Sequence, residues 1–286
     1  MSDIPVPASG TFAIGNELDV HRLGFGAMRL TGDGIWGRPS DPDECRAVLR
    51  RAVDLGVTLI DTADSYGPHV SEELIAEALH PYPDDLVIAT KAGLVRGGPD
   101  DWSPDGRPVH LREACEGSLR RLKLEAIDLY QLHRIDRKVP TEDQIGTLLE
   151  LRDEGKIRHV GLSEVTTAQL AQVQEVVEVA TVQNRFNLTD RAWNDVVDTC
   201  AAHSIGFIPW FPIATGRLAK PGGVADEVAR AHDATPAQIA LAWLLRRSPT
   251  MLPIPGTSSI AHLEENCAAA AIDLSDDEFD KLSTAA

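Results

Sequence analysis

Short apolar runs alternate with amphipathic segments along almost the whole chain. The runs are rich in β-branched residues and show little alternation of apolar and polar positions, which is typical of parallel strands covered on both faces. Eight such runs occur, at 23–28, 57–61, 86–91, 127–133, 157–163, 180–184, 205–210 and 251–255. The segments between them repeat apolar residues at helical spacing. We therefore predict eight strands that alternate with helices.

The two ends of the chain add elements of their own. TFAI and ELDV flank a Gly15-Asn16 turn, which predicts a β-hairpin before the first strand. SDDEFDKLS predicts a short extra helix at the C-terminus. Strict alternation favours a (β/α)₈ TIM barrel over an open doubly wound sheet. The predicted class is thus α/β, a (β/α)₈ barrel with an N-terminal hairpin and a C-terminal helix, in a single domain over residues 1–286.

Three long segments that follow predicted strands are rich in Gly, Pro and Asp, and these are predicted to be loops. They cover residues 31–40, 94–110 and 211–223. All three leave the carboxyl ends of strands, which is the face where barrel enzymes build their sites.

Charge and cysteine content narrow the class of partners. The net charge of −17, from 27 basic and 44 acidic residues, disfavours binding to nucleic acid or anionic lipid. No apolar run reaches the length of a membrane span, and the N-terminal MSDIPVPASG lacks the features of a secretory signal. The four cysteines are far apart and form no CxxC motif. We expect reduced, buried thiols in a cytoplasmic protein.

Titratable residues stand at the ends of three successive predicted strands. Asp61 ends the second strand, with Tyr66 five residues later, Lys91 ends the third and His133 ends the fourth. Each residue alone has a common structural explanation. An Asp at a strand end often caps a loop, a Lys there is usually solvated, and a lone His is more often structural than catalytic. Four such groups at one mouth of one barrel favour an active site.

These residue types suit proton donation to a carbonyl oxygen. A free tyrosine, with a pKa of about 10, is too weak an acid near neutrality. A neighbouring ammonium lowers that pKa, an Asp fixes the ammonium, and a His orients the carbonyl. The sequence has no Ser or Cys nucleophile motif and no metal-binding spacing, so we predict no metal site.

GFGAMRL, DTADSYG, ATKAG, IDLYQLHR, GKIRHVGLSEV, TVQNRFN and IPGTSSIAHLEEN occur in the order and spacing of the aldo-keto reductase family. The chain resembles that family over nearly its whole length. The resemblance implies an oxidoreductase that reduces aldehydes and ketones by hydride transfer from NADPH, with NADH as an alternative. It also implies a catalytic tetrad of Asp61, Tyr66, Lys91 and His133, with Tyr66 as proton donor. The chain is similar to a bacterial branch related to pyridoxal reductases, which suggests pyridoxal as substrate.

The same resemblance assigns the cofactor contacts. It implies that Ser163 and Gln183 hold the nicotinamide carboxamide and that Trp210 stacks on the ring. Thr257 and Ser258 begin the helix after the eighth strand, and such a helix start binds anions. The other residues that the resemblance assigns to the cofactor are Met28, Asp61, Phe211, Pro212, Ile213, Gly216, Arg217, Leu218, Gly256, His262, Glu265 and Asn266.

Several positions depart from the family or leave two interpretations. Glu164 stands where relatives often have Asn, which puts the carboxamide contact in doubt. Ser258 and His262 stand where many relatives have Arg or Lys, so we expect only a modest preference for NADPH over NADH. Trp36 and Trp102, on the predicted loops, either line the carbonyl pocket or anchor those loops.

Two other functions fit the same residues. Lys91 at a barrel strand end also suits a Schiff base, as in class I aldolases. A non-catalytic protein that senses a nucleotide would keep the cofactor contacts alone. In every case the expected partner is a small molecule, and the carbonyl substrate is favoured. The sequence leaves the oligomeric state open and is compatible with a monomer.

Overall fold

The computed structural model describes residues 5–213 and 223–285. The strands are β1 (Thr11–Ile14), β2 (Leu18–His21), β3 (Phe25–Gly26), β4 (Leu59–Asp61), β5 (Val87–Ala92), β6 (Leu94–Gly98), β7 (Asp101–Pro104), β8 (Ile127–Leu132), β9 (Ile157–Ser163), β10 (Val179–Gln183) and β11 (Gly206–Phe207). The helices are α1 (Pro42–Asp54), α2 (Val70–Leu79), α3 (Pro108–Leu122), α4 (Thr141–Asp153), α5 (Thr167–Gln174), α6 (Asn194–Ala202), α7 (Val224–Ala231), α8 (Pro236–Arg247), α9 (Ile260–Ala268) and α10 (Asp276–Ala285).

Seven parallel strands form one sheet in the order β3-β4-β5-β8-β9-β10-β11. Residues 250–255 fill the gap between its two edges. On one side the N–H of Leu252 donates to the carbonyl of Phe207 (2.8 Å), and on the other the N–H of Gly24 donates to the carbonyl of Pro253 (2.9 Å). The prolines of this segment have no N–H, so it pairs on both sides without forming a regular strand. The predicted (β/α)₈ barrel is confirmed.

The predicted N-terminal hairpin is also present, since β1 and β2 pair antiparallel. Its side chains Ile14 and Val20 are buried with Leu59, Val87 and Leu129 inside the barrel. Leu59 and Val87 are the first residues of β4 and β5. The hairpin therefore covers the amino ends of the strands, and the carboxyl ends face the long loops.

The helices pack apolar faces on the outside of the barrel. In α1 the Asp41 carboxylate accepts a hydrogen bond from the N–H of Glu44, Pro42 lies in the first turn, and the apolar side chains face the core. The C-terminal helix α10 docks on α8, where the rings of Trp243 and Phe279 stack with centroids 5.9 Å apart. None of the helices in the described ranges combines the length and apolarity needed to cross a bilayer.

One predicted loop contains regular structure, and an unpredicted helix follows another. Residues 94–110 include the antiparallel pair β6–β7, in which Arg96 lies opposite Trp102. Helix α7, which directly follows the predicted loop 211–223, was not predicted; it buries Ala225, Val228 and Ala229 on one face. Three residues assigned to the cofactor by resemblance lie outside the described part of the chain, namely Gly216, Arg217 and Leu218.

Candidate active site

Asp61, Tyr66, Lys91 and His133 meet at the carboxyl end of the barrel, and all four side chains are buried. The Nζ of Lys91 donates to Asp61 Oδ2 (2.6 Å) and to the carbonyl oxygen of Thr62 (2.8 Å). It lies 5.2 Å from the centroid of the Tyr66 ring. The rings of Tyr66 and His133 meet edge to face, with centroids 5.9 Å apart. The structure thus brings together the four side chains whose convergence the strand ends predicted.

The loop that carries Tyr66 is tied to the neighbouring strand and helix. The N–H of Asp64 donates to the carbonyl of Lys91 (3.2 Å), and the N–H of Ser71 in α2 donates to the carbonyl of Tyr66 (3.1 Å). Gly67 follows with a φ of +106°, where a Cβ would lie 2.4 Å from that of Val70. Glycine is needed at this turn because it has no Cβ. The backbone that carries the Tyr66 phenol is therefore fixed on both sides of this residue.

Asp61 receives two further hydrogen bonds from inside the barrel. The Nε2 atoms of Gln183 and Gln131 donate to Asp61 Oδ1 at 2.8 and 3.1 Å. Gly161, opposite Gln131 on the neighbouring strand, makes room for it, because a Cβ there would lie 2.7 Å from the Cγ of Gln131. The sequence analysis did not identify Gln131, although a glutamine inside the apolar run IDLYQLH was a usable signal. Three donors now fix the Asp61 carboxylate.

Burial dominates the electrostatics of this cluster. Burial raises the pKa of Tyr66 more than the Lys91 ammonium lowers it, so the net lowering that we expected is wrong. Burial also lowers the pKa of Lys91, but the charge of Asp61 and the Tyr66 phenol outweigh it and leave that pKa above its ordinary value. Burial, together with the charges of Lys91 and Arg134, holds the pKa of His133 well below its usual range. Near neutrality the site combines a protonated phenol, a charged ammonium and a neutral imidazole.

Trp102 forms a wall of this cluster. Its ring meets those of Tyr66 and His133 edge to face, with centroid distances of 6.4 and 6.5 Å. The guanidinium of Arg96 lies 3.7 Å from the centroid of Trp102 and 5.5 Å from that of Trp36. Of the two tryptophans, Trp102 contacts the tetrad, whereas Trp36 is paired through its backbone with Gly67.

Glu164, which departs from the Asn common among relatives, contacts the next two barrel strands. Its Oε1 accepts hydrogen bonds from the indole Nε1 of Trp210 (2.6 Å) and from the backbone N–H of Arg185 (2.8 Å). The neighbouring Ser163 accepts a hydrogen bond at Oγ from Arg134 (3.0 Å). Glu164 therefore orients the aromatic side chain at the end of the seventh barrel strand.

The helix start after residues 250–255 presents hydroxyl and amide groups. Thr257 Oγ1 accepts a hydrogen bond from the N–H of Ser259 (3.1 Å). Ser259 is the N-cap of α9, but its side chain makes no capping hydrogen bond. Arg29 was missed by the sequence analysis, although it lies in GFGAMRL. Its Cγ would lie 3.7 Å from a Cβ placed on Gly256, so the Arg29 side chain passes beside the residue that precedes Thr257.

The remaining residues assigned by resemblance lie around the same mouth. Glu265 Oε1 accepts a hydrogen bond from Thr235 Oγ1 (2.6 Å), so its carboxylate is engaged within the protein. Ser258 and His262 are exposed and Asn266 is buried. The others follow barrel strands directly: Met28 after β3, and Phe211, Pro212 and Ile213 after Trp210. Within the described ranges, no cluster of three metal-ligating side chains is present.

Comparison with known proteins finds relatives over nearly the whole chain. The profile of the aldo/keto reductase family matches residues 22–286. The chain is 52% identical over 281 residues to an uncharacterized oxidoreductase of Schizosaccharomyces pombe, covering 98% of this chain and 91% of that protein. It is 43% identical over 281 residues to pyridoxine 4-dehydrogenase of Escherichia coli, covering 96% and 98%.

A solved structure of an aldo-keto reductase from Klebsiella pneumoniae in complex with NADPH has a TM-score of 0.81 to this fold. The two sequences are 30% identical, and the match covers 96% of this chain and 94% of the other. Family profile, sequence relatives and fold agree over nearly the whole length. The chain therefore belongs to the aldo/keto reductase family of oxidoreductases.

Proposed function

We propose that this chain, as a single domain over residues 1–286, reduces an aldehyde or ketone to the alcohol with NADPH. The observation that carries the proposal is the buried pair of Asp61 and Lys91 beneath Tyr66, with His133 at the side of the phenol. Buried ionisable groups with shifted pKa values cluster at functional sites. The family membership of the chain supports the same reaction.

Tyr66 is the proton donor in this proposal. Burial raises the pKa of its phenol, so the hydroxyl stays protonated near neutrality and its proton is available to the carbonyl oxygen, although the phenol is a weaker acid than a free tyrosine. His133, which is neutral, donates a hydrogen bond to the same oxygen and orients it. The charge of Lys91 stabilises the phenolate once the proton has left. The nicotinamide, when bound, supplies the hydride for the carbonyl carbon.

The donors at the start of α9 fit a dinucleotide phosphate. The α9 N-terminus, uncapped by the Ser259 side chain, leaves first-turn N–H groups for an anion. Thr257 and Ser258 add hydroxyls there, and the side chain of Arg29 passes beside Gly256. We assign the ring-stacking role to Trp210. The Klebsiella pneumoniae relative in complex with NADPH supports this choice of cofactor.

In this proposal, two polar side chains at the ends of β9 and β10 bind the carboxamide of the nicotinamide. Ser163 and Gln183 are buried there, one bonded to Arg134 and the other to Asp61. Each retains hydrogen-bonding capacity beyond its present partner. In this proposal Gln183 links the cofactor to the carboxylate that holds Lys91.

Pyridoxal is the substrate we propose. Its support is the 43% identity with pyridoxine 4-dehydrogenase of Escherichia coli over 96% of this chain. Trp102 beside Tyr66 and His133 offers an aromatic surface to a planar ring. We also place the enzyme in the cytoplasm, which its four free, buried cysteines suit because that compartment keeps thiols reduced.

The state of Lys91 argues against the Schiff-base alternative. A Schiff base requires a neutral amine. Burial lowers the pKa of Lys91, but the neighbouring Asp61 and Tyr66 more than offset this and keep the amine protonated. Lys91 Nζ is also bonded to Asp61 and to the carbonyl of Thr62. The geometry therefore favours an electrostatic role.

A panel of carbonyl compounds tests the proposed function. Pyridoxal, an aromatic aldehyde, an aliphatic aldehyde and a ketone are each incubated with the protein and NADPH or NADH, and loss of cofactor absorbance is followed. We expect turnover with NADPH, fastest with pyridoxal, and an alcohol as product. Absence of turnover with every carbonyl compound would contradict the proposal. A borohydride-trapped adduct at Lys91 would favour the aldolase-like reaction.

A further inference from the structure

The side chain of Arg96 joins three loops at the mouth of the barrel. Arg96 lies on β6, opposite Trp102 on β7. Its guanidinium donates only to backbone carbonyls, those of Ile35 (2.6 Å), Gly34 (2.8 Å), Gly98 (3.0 Å), Ser65 (3.2 Å) and Asp101 (3.2 Å). An arginine has five N–H groups, so each one is used. The acceptors belong to the loops after β3, β4 and β5, and one of them directly precedes Tyr66.

The loop after β3 is held by Arg96 in a conformation that is rare for its sequence. Gly34 and Ile35 both have positive φ, of +65° and +54°. A β-branched residue seldom adopts this region, and it persists there only where the surroundings hold it. The carbonyls of these two residues accept the two shortest hydrogen bonds from Arg96. Arg96 is therefore part of what stabilises this loop.

Trp102 is fixed between Arg96 and the tetrad. The guanidinium lies 3.7 Å from its ring centroid, a close cation–π contact. The same ring meets Tyr66 and His133 edge to face. A side chain on a surface hairpin would otherwise sample several rotamers and would have to be ordered when a ligand binds. Here the contacts order it in advance.

We infer that Arg96 is a positioning residue that determines substrate choice: by tying three loops together it holds Trp102 as a preformed aromatic wall beside Tyr66 and His133. This inference rests on the proposed carbonyl reductase function. A ring-bearing aldehyde contacts this wall and binds more tightly because Trp102 is already ordered before it binds. An aldehyde too small to reach Trp102 gains nothing from it. Arg96 therefore acts on the KM of ring-bearing substrates.

Steady-state kinetics with two aldehydes test the inference. Pyridine-4-carbaldehyde carries a ring and propanal does not. We expect Arg96→Met to raise KM for the ring-bearing aldehyde about 3- to 10-fold, the factor for ordering one side chain on binding. The KM for propanal should change by less than about 2-fold. Arg96→Lys should resemble Arg96→Met, because an ammonium, with three donors on one atom, cannot reproduce the five hydrogen bonds of the planar guanidinium. Arg120→Met, at an exposed position on α3, is the matched control.

A second variant keeps the inference testable if Arg96→Met does not fold. Trp102→Leu removes the wall and leaves Arg96 in place, and it should cause the same selective rise in KM. Parallel changes for both aldehydes, or no change for either, would overturn the inference. Near-ultraviolet circular dichroism separates this failure from failure of the proposed function. Even if the parent reduces no carbonyl compound, Arg96→Met must lose tryptophan signal, and an unchanged spectrum would overturn the positioning role.

Discussion

The carboxylate of Glu164 links the ends of two neighbouring strands. It accepts hydrogen bonds from the Trp210 indole and from the backbone of Arg185. From the sequence, Glu164 was only a departure from the Asn common in the family it resembles. Its role could not be derived there, because the partners of a side chain across a barrel depend on strand register.

Removing this carboxylate should loosen Trp210. We expect Glu164→Ala to weaken NADP⁺ binding by about 1–2 kcal/mol, since a charge-assisted hydrogen bond that orients the stacking ring is lost. Quenching of tryptophan fluorescence by NADP⁺ should fall with it. Glu164→Gln keeps an acceptor oxygen and is the matched control. Equal affinity in Glu164→Ala and the parent would show that Trp210 does not depend on Glu164 for cofactor binding.

The pKa values of the cluster predict how reduction responds to pH. Reduction requires protonated Tyr66, so activity is present below the pKa of the phenol and is lost as pH rises through it. Because burial raises that pKa, we expect the decline in kcat only above pH about 10. Burial holds the pKa of His133 well below its ordinary value of 6.5, so no change in kcat should come from it around that pH.

Lys91→Met tests the effect of the ammonium on the pKa of Tyr66. The ammonium lowers the pKa of Tyr66 against the effect of burial. Its removal should therefore move the alkaline decline to still higher pH while kcat itself falls. The measurement is a pH profile of kcat for both proteins with NADPH. A decline at lower pH in Lys91→Met would contradict the electrostatic role.

At the scale of elements, the phosphate end of the proposed cofactor site is built by the start of α9. The exposed Ser258 stands there without a cation of its own, and Arg29 approaches from the end of β3. Hydroxyls and amide groups bind phosphate, but a guanidinium binds it more tightly. This explains why we expect only a modest preference for NADPH.

Adding a guanidinium at this helix start should sharpen the preference. We predict that Ser258→Arg tightens NADPH binding by about 1–2 kcal/mol at low salt, with little effect on NADH. Fluorescence titration with both cofactors at two salt concentrations measures this. Ser258→Gln, with a long but uncharged side chain, serves as the control. Equal tightening of NADH would show that position 258 does not face the 2′-phosphate.

Elements were predictable where one physical signal dominated. The buried strands appeared as apolar runs, and α1 was marked by Asp41 and Pro42 at its start. The hairpin β6–β7 was taken for a loop because its Gly, Pro and Asp content is that of a loop. It is stabilised instead by Arg96 and Trp102, whose contacts reach other loops. Such contacts over long sequence separations leave no local pattern.

For the whole molecule, barrel topology made the site predictable. Parallel strands that alternate with helices bring their carboxyl ends to one mouth, so Asp61, Lys91 and His133 had to converge once the alternation was recognised. The amino end is covered by the hairpin β1–β2. The role of Arg96 was not predictable, since its partners lie on loops that are distant in the sequence. Gln131 left one local signal, a glutamine inside an apolar run.

The central claim is that Tyr66 donates the proton in NADPH-dependent carbonyl reduction. Tyr66→Phe tests it most directly, because it removes the hydroxyl and leaves the ring that contacts Trp102 and His133. The rate of NADPH oxidation with pyridoxal and the Kd for NADP⁺ are measured on parent and variant. We predict a kcat lower by about 10²–10⁴-fold with an unchanged Kd. A variant that keeps more than about a tenth of the parental kcat would contradict the claim.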